Sequence, residues 1–291
     1  MRTQNSPRRA LKLALSALSA LSALSALSAP ALSAPRPPTT SATTYTLTGQ
    51  EWSDTDDERA PALARLGRQL VMETHKRMPK NVGNALSCTH CHINGGLKAN
   101  AAPFVGVTSR YPTYRARLGR EQRLEERVQD CFERSMSGVA PKEGSKEMRA
   151  IIAYMKHVSR AVPKGAQVSG AGFVRLPPPE LEPSEARGEA VYAAKCAACH
   201  QPNGQGLRGP DGEAIFPPIW GHASFNIAAG MARLNTAAGF VYANMPKGQG
   251  MSLTPQDAYD VALYLTRKDH DDFAHKSKDW PKGGKPEDAR Y

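Results

Sequence analysis

Two runs of Cys-x-x-Cys-His constrain this chain more than any other feature: Cys88-Thr89-His90-Cys91-His92 and Cys196-Ala197-Ala198-Cys199-His200. Such a run is the attachment signature of c-type haem. The two sulfurs form thioethers to the porphyrin vinyl groups, and the following histidine reaches the iron from the proximal side. One run could arise by chance; two in a chain of 291 residues point to two covalently bound haem c groups. They use four of the five cysteines and leave Cys131 alone, so no even set remains for a disulfide framework.

The beginning of the chain reads as an export signal. Arg2, Arg8, Arg9 and Lys12 form a positive start, and Leu-Ser-Ala triplets then run from Leu15 to Ala29. Small residues and prolines follow, with cleavage expected after Ala31 or Ala34. A transmembrane anchor is the competing reading. The serine at every third position and the stop at Pro30 weigh against it. Arg8-Arg9 invites a twin-arginine route, but apo-cytochromes normally cross unfolded and receive haem outside, which favours the general route. A periplasmic protein is therefore expected, with no stable membrane insertion after cleavage. Formal net charge is +11, and removing the four signal cations leaves 11 − 4, or +7. That suits small anions or acidic partners. No Lys/Arg stripe with interleaved aromatics indicates nucleic-acid binding.

The expected fold is all-α, with two class I cytochrome c-like domains, each holding one attached haem, joined by a Pro-rich linker. Residues 1–34 are the signal and 35–56 an N-terminal arm. The first haem unit covers 57–162, with apolar residues at helical spacing from Leu63 to Met78. A charged helix is expected from about Arg120 to Met136, and another over 145–159. Residues 163–183 form the linker. The second unit covers 184–268, with helices at Glu185–Lys195 and after Thr254-Pro255-Gln256-Asp257, where Thr254 caps and Pro255 fills the first turn. A polar tail, 269–291, has no role that composition assigns.

His92 and His200 are the proximal iron ligands. In the second unit the distal candidates are Met231, Met245 and Met251. Asn244-Met245-Pro246 has the character of a loop presenting a thioether to iron, with core packing as the alternative and Met251 as the fallback. The first unit has no equal methionine. Met136 and Met148 sit in helical patterns, His157 lies late in a helix, and His90 is too close to the attachment point. Cys131 remains, either as a small buried hydrophobe or as a ligand.

Its setting is unusual. Seven arginines and no lysine occur from Arg110 to Arg134, interleaved with five acids. Part of this is a solvated, salt-bridged surface, Arg120 and Arg123 included. Arg127, Cys131 and Ser135 are spaced four apart and share one helical face. Guanidinium forks suit oxyanions and lower the pKa of a neighbouring thiol. This pattern is suited to bringing an anion against a thiolate.

Here the chain resembles the thiosulfate dehydrogenase family of dihaem cytochromes c, in which a Cys-x-x-Arg-Ser-Met segment follows the first haem motif. The matching residues are Cys131-Phe132-Glu133-Arg134-Ser135-Met136, the 145–156 helix, Asn244-Met245-Pro246, and Asp279 to Pro286. The resemblance implies a first haem held by His92 and a Cys131 thiolate, with Arg117, Arg127 and Ser135 binding the anion. It further implies coupling of two thiosulfates to tetrathionate, and transfer of electrons from the His92/Cys131 haem to the His200/Met245 haem. The final acceptor would be external, such as a small cytochrome c or a high-potential iron–sulfur protein. Many members carry Asn where this chain has Ser137, and some place a lysine where it has Asn244.

Three other readings compete. A pure electron-transfer dihaem cytochrome needs neither a spare thiol nor clustered arginines. A SoxA-like component uses a cysteine-ligated haem but acts on a partner protein's thiol. A dihaem peroxidase needs an open iron position. The reaction could also run toward tetrathionate reduction.

Overall fold

The computed structural model describes residues 43–291 apart from Asp211. The expected signal, and the start of the N-terminal arm, lie outside the described residues.

Each haem motif is flanked by a pair of helices that cross at a glycine. In the first half, Ala62–Met72 packs on Lys146–Val158. A β carbon on Gly67 would lie 1.9 Å from the Ala150 carbonyl oxygen and 2.8 Å from Tyr154 Cβ. In the second half, Glu185–Lys195 packs on Pro255–Arg267. There, a β carbon on Gly188 would lie 2.1 Å from the Asp260 carbonyl oxygen and 2.9 Å from Tyr264 Cβ. Both crossings therefore need the backbone approach that only glycine allows. The same device appears twice, as expected of two cytochrome c folds in one chain.

Local chemistry starts these helices where the sequence indicates. Ser145, Ser184 and Thr254 accept hydrogen bonds from the backbone N–H groups of Met148, Arg187 and Asp257. Such side chains satisfy donors that the first turn leaves unpaired. The first core gathers Leu70, Val71, Phe104, Phe132, Met148, Ile151 and Tyr154. The second is smaller, built on Tyr192, Val241, Leu253, Val261 and Tyr264. A helix that the periodicity did not reveal, Leu234–Asn244, packs against Pro255–Arg267 and leads into Met245.

The segment around Arg120 differs from the expected helix. Thr113–Arg115 and Arg120–Gln122 pair as an antiparallel hairpin. The helix spans only Leu124–Asp130 and then widens into a π turn, Cys131–Ser135. The Met136 N–H reaches back five residues to the Cys131 carbonyl at 3.0 Å. Single π turns of this kind are frequent at functional sites.

Arm, linker and tail are all docked. Thr44–Tyr45 pairs in parallel with Gln167–Val168, and Trp52 stacks edge-on to Tyr154 at 5.3 Å. Asn100 and Ala102 donate backbone hydrogen bonds to Gly170 and Gly172, at 2.7 and 2.8 Å. The tail returns to the first half. Asp279, its side chain 2% exposed, receives a two-pronged bond from Arg134 at 2.7 and 2.9 Å and a further one from the Tyr291 hydroxyl. No helix among the described residues is long and apolar enough to cross a membrane.

Candidate functional site

Both motif histidines have the second-sphere contact that fixes an imidazole for metal binding. His92 Nδ1 donates to the Ala102 carbonyl at 2.7 Å, and His200 Nδ1 donates to the Pro217 carbonyl at 2.9 Å. With Nδ1 protonated, Nε2 is left as the lone-pair nitrogen. Burial lowers the pKa of both rings, that of His92 to about 4, so each is neutral as a ligand must be.

Around His200 lies a cavity of about 670 Å³ whose wall is mostly apolar. Cys196, Cys199, His200, Met231 and Met245 line it, together with Phe216. Met251 does not; it is 56% exposed. The first motif also reaches this cavity through His90 and Cys91. His90 is occupied at Nδ1, which accepts from the Ser87 N–H at 3.0 Å. A porphyrin suits this space: apolar walls, two attachment sulfurs on one side, a histidine and a thioether.

The first site has a different character. A narrow cavity of about 60 Å³ holds Cys88, Cys91, His92, Cys131 and Ser135 in its wall. A wider one of about 1120 Å³ shares His92 and Cys131 with it but neither attachment cysteine. The wider cavity is lined by Arg110, Arg115, Arg127, Arg175 and Arg233, with Glu287 the carboxylate in its wall. Cys88, Cys91 and His92 would hold a haem here, and the guanidinium groups of the wider cavity suit carboxylates. Arg233 is paired with Asp288 at 3.7 Å, and the remaining four arginines outnumber the one carboxylate of the wall, which leaves positive charge for anionic groups.

Cys131 sits where the two cavities meet, and Arg127 Nη1 donates to its sulfur at 3.1 Å. Attraction to that sulfur, against the opposing effect of burial, holds the Arg127 guanidinium above its ordinary pKa. Two other candidates are engaged in the core. Met148 is 1% exposed and Met136 is 3% exposed. His157 pairs with Asp56 at 2.9 Å.

Cys131 thus shares the wide cavity with Arg127 and the narrow one with Ser135, and Arg117 lines neither. Its Nη1 donates to the Ala228 carbonyl at 2.5 Å, its Nε lies 3.6 Å from Asp279, and its guanidinium stacks 5.0 Å over Trp280. The cause is local. Arg117 lies in the tight connection between the hairpin strands, and its carbonyl is taken by the Trp280 N–H at 2.8 Å, which ties it to the tail. Arg110 and Arg115, nearby in sequence, face the cavity instead. Arg175 and Arg233 belong to distant segments, and no spacing rule connects them to Cys131.

Comparison with known proteins identifies both halves of the chain. Residues 77–163 match the family model described as SoxA/TsdA, cytochrome c domain, and residues 185–267 match that described as cytochrome c. The thiosulfate dehydrogenase of Psychrobacter arcticus is 44% identical over 235 residues, covering 81% of this chain and 71% of that protein. That of Allochromatium vinosum is 47% identical over 203 residues, 68% of this chain and 75% of the other. Among solved structures, thiosulfate dehydrogenase (TsdBA) from Marichromatium purpuratum superimposes with a TM-score of 0.68 at 38% identity. It covers 70% of this chain, which spans 45% of that longer one. With two cytochrome c domains, two covalently bound haems and this degree of identity, the chain belongs to the thiosulfate dehydrogenase family of dihaem cytochromes c.

Proposed function

We propose that this protein joins two thiosulfate ions through a new sulfur–sulfur bond, giving tetrathionate and two electrons. The observation that carries the reading is the 3.1 Å contact of Arg127 with Cys131 in the wall of an arginine-lined cavity that also contains His92. Each haem would supply one-electron storage, with His92 and Cys131 as ligands to the first and His200 and Met245 to the second. Thiolate ligation lowers a haem potential and thioether ligation raises it, so these residues set the two sites in downhill order.

The protein's own part is electrostatic. Two dianions repel strongly where water is excluded, by about 17 kcal/mol at about 4 Å for an effective dielectric near 20, four times the value for unit charges. Arg127 offsets that repulsion beside the sulfur, and Arg110, Arg115, Arg175 and Arg233 extend the positive wall outward. Ser135 offers a hydroxyl in the narrow cavity with Cys131. Arg117, engaged elsewhere, supports the tail rather than the anion. Leu86 and Cys91 stand in the walls of both haem cavities, which gives a short route between the sites. Beyond the second site, an external periplasmic acceptor, a small cytochrome c or a high-potential iron–sulfur protein, completes the cycle. The signal-like residues 1–34 and the haem motifs support that location.

The test is thiosulfate-dependent ferricyanide reduction by the haem-loaded protein beside Cys131→Gly, with both haems confirmed and tetrathionate quantified. The reading requires tetrathionate from the wild type and its loss in the variant. Equal activity in the two would reduce Cys131 to a packing residue. If both are inactive while their haems still cycle, the chain is an electron carrier.

A further inference from the structure

The residue before Met245 is tied to the other half of the molecule. Asn244 is 0% exposed, and its Nδ2 donates to two carbonyls, that of Phe240 at 3.1 Å and that of Asn100 at 3.0 Å. Both partners are acceptors, so the amide orientation is fixed by its neighbours rather than assigned arbitrarily. Its Oδ1 is buried without a hydrogen-bond partner. An unpaired buried oxygen costs about 1–3 kcal/mol. An apolar side chain would avoid that cost, so it is the amide's donor function that accounts for this residue here.

The segment it grips is strained and firmly held. Asn100 and Ala102 adopt left-handed φ values of 62° and 47°, unfavourable above all for alanine. Their N–H groups are pinned by Gly170 and Gly172. The Ala102 carbonyl is the acceptor that orients His92. One three-residue brace therefore contacts the proximal histidine of the first site and the residue beside Met245 at the second.

We propose that Asn244 is a positioning residue: it clamps the end of the Leu234–Asn244 helix onto the 100–102 brace, and so fixes where Met245 presents its sulfur. Helical geometry stops at Met245, whose backbone is extended (φ −121°, ψ 146°), so its direction depends on how the preceding turn is anchored. The inference rests on Met245 and His200 being the ligands of the second haem.

The experiment uses the haem-loaded protein and reads the methionine–iron charge-transfer band and the midpoint potential of each haem. Asn244→Ser keeps a short donor for the Phe240 carbonyl but cannot reach Asn100. The expected result is a weakened band and a lower second-haem potential, with the first haem unmoved because Gly170 and Gly172 still hold the brace. Asn244→Leu, which keeps the volume and removes both donors, should show the larger loss. A wild-type band and potential in either folded variant would overturn the proposal, as would equal shifts at both haems. If Asn244→Leu does not accumulate with haem, Asn244→Ser alone decides. Met245→Ala separates the two readings: should it keep the band, the ligand assignment fails instead.

Discussion

The two haem sites are built on the same helix crossing yet surrounded by opposite environments. Around His200 the wall is largely apolar, and Met245 is supplied by a loop braced from behind. Around His92 the wall carries five arginines, and the sulfur comes from a π turn with a guanidinium against it. A site that only stores an electron needs a dry, rigid cage. A site that must hold anions together needs fixed positive charge. Under the proposed function the contrast places chemistry at the first site and storage at the second, and it can be attacked from either side.

The largest effect should follow Cys131→Ala. Thiosulfate oxidation should fall to background while the second haem keeps its spectrum and potential. Activity within a few fold of wild type would erase the distinction between the sites. Next is the clasp behind the π turn. Asp279→Ala leaves Arg134, whose side chain is 8% exposed, with only the longer 3.4 Å contact to Asp130. A loss of about 1.5–3 kcal/mol of unfolding free energy is expected, the worth of hydrogen bonds to a charged group. Denaturant unfolding followed at each haem should show the first site releasing earlier, and a loss under about 1 kcal/mol would mean that the tail contributes little.

Arg127→Gln should lower kcat/KM for thiosulfate about a hundredfold, in the range of losing one preorganised donor. Arg127→Lys should recover only part of this, because a point charge replaces a planar fork. Reduction of the second haem by a neutral donor should be unaffected in both; if it also falls, the arginine serves the fold rather than the anion.

The smallest effect concerns pH. Burial would raise the carboxyl of Asp56, but the Ser53 N–H and hydroxyl, His157 and Arg160 outweigh it and bring it down to about 2. A depressed carboxyl stabilises the fold above its unfolded pKa, near 4, and that contribution is lost as pH falls from there toward 2. Asp56→Asn should therefore cost on the order of 1 kcal/mol at neutral pH and little at pH 2, after allowance for solvent screening. A difference independent of pH would point to packing instead.

What could be read from residues alone was whatever is local in sequence. Attachment motifs, helix caps and the Arg127–Cys131 contact all join residues a few positions apart. The hairpin over 113–122 was not legible, because alternating arginines and glutamates suit a solvated helix as well as an exposed strand pair. Where Arg117 points was not legible for a related reason: spacing gives a face, but a turn redirects it, and its partner Asp279 is far away in sequence. Prolines in 163–183 indicate a linker, yet they leave most backbone groups free to pair with 44–45 and 100–102. Ser137 shows what local geometry adds to a family resemblance that leads one to expect Asn there. The residue sits at φ 45°, where asparagine is better tolerated than serine.

The bond between Arg134 and Asp279 spans 145 residues, so it sets an order of assembly. Contacts of such separation close late, because the chain between them must first be organised. The π turn that carries Cys131 has a nearby carboxylate from the start, Asp130 lying 3.4 Å from Arg134, but the two-pronged bond to Asp279 waits until the second half has been made. The segment that carries Cys131 is in this way held fast only when the second half is complete.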